Sequence, residues 1–230
     1  MSKINHSTLD KAIDFSFKSV IAGKASTKSI PKLTEKYMAQ YHDPEIAIQQ
    51  LTKQMRLMAG ASGFVTNLGG LITIPASLPT ELVSVLYLDL RLVAGIAYLR
   101  GYELDDPRVQ TVMLATLAGN AASSNLKKAL IASGSRYITA HLSQAVLDKV
   151  NQYLRHFLLR RFTVTTATAA AKLIPLVSGA IGGFTDSLST QVVGSAAEKL
   201  FKAEGLVFGD KVISRAELAF PPAHTDAKKL

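Results

Sequence analysis

Apolar residues recur along this chain at helical spacing, and strand signals are scarce. Ile48, Leu51, Met55 and Met58 fall on one helical face, with Gln49, Lys53 and Arg56 elsewhere, and Asp43-Pro44 supplies an N-cap and a first-position proline. Ser77-Leu78-Pro79 opens a longer helix, roughly 78–100. Its body VSVLYLDLRLVAGIAYL is apolar nearly all round, which predicts the central helix of a core ending at Gly101. Upstream, Ser7 and Asp10 form a capping-box pattern that opens a helix ending near Gly23. Downstream, Asp106-Pro107 repeats the cap-and-proline device after the acid pair Asp105-Asp106. The uncharged run Val109–Leu126 that follows is expected to break at Gly119-Asn120.

Ser143 opens a helix through Phe162, with Val146, Val150, Tyr153 and Phe157 on one face and Asp148, Asn151 and Arg155 opposite. Leu173–Phe184, with Pro175, Gly179, Gly182 and Gly183, is expected to be a broken segment, and Asp186 to cap a last helix running to about Glu204. The predicted fold is all-α: one helical domain over 1–219, built on a central apolar helix and two glycine/proline-broken hydrophobic segments, with a mobile tail over 220–230.

Composition narrows the chemistry. With 48% hydrophobic and 19% charged residues, the 230-residue chain is too apolar for disorder. The absence of cysteine excludes disulfides, thiolate zinc sites, iron–sulfur clusters and cysteine nucleophiles. The net charge of +9 favours acidic partners, and it is uneven: residues 132–172 hold six cations against Asp148 alone. By contrast, 24 residues between Arg56 and Glu81 carry no charge, and 162–185 has only Lys172. The first of these stretches is long enough to cross a bilayer, but its glycines, Pro75, Pro79 and Asn67 would break a spanning helix, so a buried or membrane-facing hairpin is expected. The first uninterrupted apolar stretch comes long after the lysine-rich region Met1–Lys36, so no secretory signal is expected and the cytoplasm is, at the inner face of the cell membrane if the protein binds there.

An ordered series of blocks resembles the EcsC family of bacterial helical proteins, named after the third gene of an ABC-transporter operon. These are GFVTNLGGLITIPASLP (63–79), the apolar helix with Asp89 and Arg91, YLRGYELDDPRVQ (98–110) and KLIPLVSGAIGGFTDSLST (172–190). Where family patterns place an aspartate after the first proline turn, this chain has Glu81 nearby. The resemblance implies a helical fold and a membrane-transport context, and no settled reaction.

The motifs agree with a non-catalytic reading. Gly23-Lys24-Ala25-Ser26 lacks the upstream glycine of a phosphate loop, and neither glycine-rich segment fits G-x-G-x-x-G. The glycines are therefore structural. Gly179, Gly182 and Gly183 suit close helix packing, and Gly63, Gly69 and Gly70 suit either packing or a turn between half-helices. Five histidines show no metal-ligand spacing, with His156 placed against a helix's C-terminal dipole, and nothing calls for a metal or cofactor.

Asp89 and Arg91, two apart in the most apolar helix, point about 200° apart and cannot pair with each other. Each needs a partner from another helix. Either these groups form internal ion pairs, or Asp89 and Arg91, with Glu81 and Asp186, line a polar cavity able to hold a headgroup or an acidic residue. On the basic stretch, the aromatics lie on the apolar face and Arg155 opposite, which disfavours nucleic acid. Arg155, Arg160 and Arg161 suit an anionic membrane surface better, at about 1 kcal/mol per cation near the lipid.

Three functions follow. The first is a non-enzymatic peripheral membrane protein that assists assembly or regulation of a transport or secretion complex, its partner being an anionic surface or a protein of that complex. The second is a soluble adaptor with its hydrophobic segments buried. The third is an enzyme or binder acting on lipid or a small molecule in the polar cavity.

Overall fold

Eight α-helices, a short 3-10 turn and a two-stranded hairpin account for the regular structure of the described residues. The computed structural model describes residues 5–21, 29–60, 74–132, 143–170, 178–208 and 211–214. The helices are α1 (His6–Ile21), α2 (Ile30–Tyr41), α3 (Pro44–Gly60), α4 (Thr80–Leu99), α5 (Pro107–Thr116), α6 (Ala122–Ala132), α7 (Gln144–Ala170) and α8 (Ser178–Leu200). The strands are β1 (Gly205–Phe208) and β2 (Lys211–Ser214), paired antiparallel with Leu206 opposite Ile213. The chain is thus a mostly helical single domain, and the hairpin is the one departure from the all-α expectation.

The apolar 78–100 stretch becomes α4, as expected. It packs against α1, α2, α3, α5 and α8. Leu82–Leu99 is long and apolar enough to cross a membrane, yet 83% of it is buried by its neighbours, so its hydrophobicity is spent on the core. Arg100 caps it, and Gly101, at φ 77°, closes the end: its amide donates to Tyr98 O (2.8 Å) and that of Tyr102 to Ala97 O (3.0 Å). This paired arrangement requires the left-handed backbone that glycine takes without strain. The device at Asp43 is also as expected, its Oδ1 accepting from the amides of Glu45 (2.8 Å) and Ile46 (3.0 Å). Asp106 accepts from the amide of Arg108 at 2.7 Å, and the uncharged run breaks at the 3-10 turn Gly119–Ala121.

Several expectations are corrected. Asn5, not Ser7, caps α1, its Oδ1 accepting from the Thr8 amide at 2.8 Å, so the helix begins before Ser7. The pattern did not single out α2, which buries only Ile30, Thr34 and Tyr37. Helix α7 continues to Ala170, past Phe162. Its most buried stripe is Leu147, Val150, Leu154 and Leu158, rotated one position from the expected face, because α5 and α6 as well as α1 pack on it. His156 therefore lies within the helix, away from the C-terminal dipole.

Helix α8 runs unbroken from Ser178, with Gly179, Gly182 and Gly183 inside it, and stops at Leu200 rather than Glu204. Asp186 sits within the helix, where both flanks are already helical, so it is not an N-cap. Each glycine weakens a helix by about 1 kcal/mol relative to alanine, but burial of Thr190, Val193, Ala196, Ala197 and Leu200 in the core outweighs that local preference. The expected break at Pro175, the hairpin glycines Gly63, Gly69 and Gly70, and the tail from 220 lie outside the described residues.

Side-chain pairs fix the helix directions. Contacts of Glu45 with Arg100 and of Leu51 with Gly95 make α3 antiparallel to α4. Contacts of Asp89 with Thr190, and of Arg100 with the Glu198 carbonyl, make α4 parallel to α8. The last turn of α3 and the first turns of α4 and α8 therefore share one end of the bundle. The α3 and α4 turns flank the uncharged stretch 57–80, and α8 begins within 162–185.

Candidate functional site

Asp89 and Arg91 are both buried, at 4% and 8% exposure, on opposite faces of α4. Asp89 finds its partner on another helix: the Thr190 hydroxyl of α8 donates to its Oδ1 at 2.9 Å. Arg91 Nη1 donates to the hydroxyl of Tyr87, one turn earlier on the same helix, at 3.2 Å. The guanidinium also lies 5.9 Å from the centroid of that ring, within cation–π range. Ser84, on the same face, is buried, and its Oγ has no hydrogen-bond partner among the described residues. Glu81 stands in the first turn of α4 and Asp186 in α8, and their side chains lie outside the described residues. The structure thus separates Asp89 from Arg91, and neither lines either of the two grooves described below.

The larger groove, about 400 Å³, lies between α1 and α7. Arg155 crosses it, donating to Asp10 Oδ1 (3.2 Å) and Asp14 Oδ1 (2.6 Å), so two aspartates meet its charge. His156 stacks on His6, centroids 5.2 Å apart. Arg160 is exposed, while the side chain of Arg161 lies outside the described residues. With Arg155 engaged and Asp148 on the wall, this basic stretch offers an anionic surface less charge than its composition implies.

The second groove, about 240 Å³, lies between α2 and α3 and was not anticipated. Lys36, Tyr37, Gln40 and Tyr41 line it from α2, and Gln50, Lys53, Gln54 and Leu57 from α3. The Tyr37 hydroxyl donates to Gln54 Oε1, and the Tyr37 and Tyr41 rings stack with centroids 6.2 Å apart. Burial raises the Tyr37 pKa above the ordinary tyrosine value, Tyr41 adds to the rise, and the positive charge of Arg91 opposes it. The unfolded chain loses this proton first, so the contribution to stability is complete below pH 10 and declines as pH climbs toward the folded value. An alkaline absorbance titration of the seven tyrosines should show a late-ionising component that Tyr37→Phe removes. If the variant and the parent titrate alike, the buried hydroxyl is not the late one.

The block 98–110 builds a corner. Arg100 donates from Nε and Nη2 to both oxygens of Glu45 (2.9 and 2.7 Å), and from Nη1 to the carbonyls of Glu198 (2.7 Å) and Phe201. The Tyr102 hydroxyl donates to Lys202 O at 2.5 Å and its ring meets Phe201 edge-on, while Arg108 pairs with buried Asp106 at 2.6 Å. Burial raises the Glu198 pKa, Arg100 lowers it, and Glu45 raises it. Arg100 and Tyr102 thus tie the start of α3 and the C-terminal ends of α4 and α8 together, a structural role for this part of the motif.

A family model described as the EcsC protein family matches residues 1–203. No curated protein and no solved structure matches the chain.

Proposed function

The chain belongs to the EcsC protein family, and from that premise we propose that it docks peripherally on an anionic membrane face and assists a membrane transport or secretion complex there. The family's association with an ABC transporter supplies the context. One observation carries the reading: the helix turns on either side of the uncharged stretch 57–80 meet, together with the start of α8, at a single end of the bundle. There Leu57, in the last turn of α3, is 67% exposed. A large exposed aliphatic side chain beside Lys36 and Lys53 gives that end the mixed apolar and cationic character that suits a lipid interface. The buried α4 supports peripheral docking over insertion, because removing it would dismantle the core.

Flotation of the full chain with phosphatidylcholine vesicles, with and without phosphatidylglycerol, tests this. The protein should float only with the anionic vesicles and be released as salt rises, since exposed charges are screened over about 8 Å at physiological ionic strength. Failure to float at any composition would sink the proposal and favour a soluble adaptor.

A further inference from the structure

We propose that the α2–α3 groove is a binding site for the phosphate of an anionic phospholipid headgroup, with Leu57 lying toward the acyl region. The inference rests on the membrane-docking reading and gives it a specific contact. Lys36 lines the groove from α2 and Lys53 from α3, and neither makes an ion pair or hydrogen bond among the described residues. The charge of Arg91 reaches the groove wall at Tyr37. Among the described residues no carboxylate lines the groove, whereas the α1–α7 groove contains Asp10 and Asp148 and has its arginine engaged. The side-chain amides of Gln40 and Gln50 make no hydrogen bond among the described residues, leaving neutral donors on the groove walls.

Size and shape favour a headgroup over a larger ligand. At about 240 Å³ the groove is below the roughly 300–1,000 Å³ of pockets that enclose drug-sized molecules. It runs along both helices toward the last turn of α3, where Leu57 is 67% exposed. A soluble phosphate ester would have no use for that leucine. A lipid would, because its phosphate and its acyl chains need adjacent cationic and apolar surfaces.

The test compares charge-matched variants of the full chain. Lys36→Gln/Lys53→Gln removes both groove cations, and Lys127→Gln/Lys128→Gln removes two exposed cations from α6, which packs against α5, α7 and α8. All four side chains are exposed, so both variants should keep the parent's circular dichroism spectrum. Partition onto phosphatidylglycerol vesicles should fall about 30-fold in the groove variant and by less than about threefold in the α6 variant. Leu57→Gln, with both lysines intact, should also lower it. Equal losses in the two lysine variants would overturn the groove assignment and leave general electrostatic docking standing. If the parent does not bind, the docking reading fails with it. Inorganic phosphate is the remaining arm: if it alone perturbs the Tyr37 and Tyr41 absorbance and abolishes flotation at matched ionic strength, the groove is a soluble-phosphate site and the lipid assignment is overturned.

Discussion

Arg100→Met should lower the stability of the folded chain by about 3 kcal/mol, the larger part of it from two backbone carbonyls left without a donor. The Arg100 side chain is 10% exposed and Glu45 is 56% exposed, so their ion pair is partly in water and contributes at most about 1 kcal/mol. The carbonyls of Glu198 and Phe201 are a different matter. They lie at the C-terminal end of α8, where helix carbonyls lack intrahelical partners, and Arg100 Nη1 serves both. Methionine keeps the aliphatic stem and supplies no donor, which isolates that term. For a chain of this size, 3 kcal/mol moves the melting temperature by roughly 6–12 °C.

The pH dependence of the loss has a definite sign. Without Arg100, the carboxyl of Glu198 loses the charge that lowers its already raised pKa. A carboxyl with a raised folded pKa favours folding in acid, and this advantage declines as pH rises through the unfolded value of 4.5 toward the folded one. The deficit of Arg100→Met should therefore be smaller in mild acid than at neutrality. Glu45→Gln, which spares the carbonyls, should cost no more than about 1 kcal/mol in thermal or urea unfolding. Equal losses in the two variants would show that the exposed ion pair, and not the carbonyl clamp, holds the corner.

That corner also shows which features the sequence made legible. Asp43-Pro44, Asp106-Pro107, Gly101 and Gly119 act within one turn of themselves, so each could be located from spacing alone. The 78–100 helix was legible because apolarity on all sides leaves it no other place than the centre. Arg100 was not, because its partners are 55, 98 and 101 residues away. The same holds for Asp89, whose hydroxyl donor Thr190 is 101 residues on.

Other omissions have local causes. In α2 a threonine and a tyrosine take two of three buried positions, so its apolar stripe is faint, although Pro31 near its start was a usable signal. The hairpin carries a Gly209-Asp210 pair between two short apolar runs, a turn signal outweighed by the helical character of everything upstream. The glycines of α8 misled because propensity is a local preference, whereas that helix is held by contacts with α3 and α4. The α2–α3 groove followed the same fate as α2. With that helix unassigned, Lys36 and Lys53 could not be placed on one groove.

Gly95 and Leu51 set the approach of α3 to α4, and they should behave as one unit in a double-mutant cycle. A Cβ at Gly95 would lie 2.5 Å from Leu51 Cδ2, well inside contact distance, and Leu51 is fully buried. Gly95→Ala gains about 1 kcal/mol of helix propensity and meets an overpacking cost of about 1–3 kcal/mol, so a small net loss is expected. Gly95→Leu has no such offset beyond its own propensity and should lose about 3 kcal/mol. Leu51→Ala, which empties a core position, should lose a similar amount, within the usual range of about 2–5 kcal/mol. Combined, the larger side chain on α4 fills the space vacated on α3, and the double variant should recover about 2 kcal/mol relative to the sum.

The cycle also reaches the groove. Lys53 and Gln54 follow Leu51 on α3, so pushing α3 away from α4 shifts the groove wall that carries them. Gly95→Leu that remains folded should therefore bind anionic vesicles more weakly than the parent, and the compensated double variant should regain part of that binding. Strict additivity in urea unfolding, or a Gly95→Ala more stable than the parent, would mean that Leu51 swings aside at little cost and that the contact does not govern helix spacing.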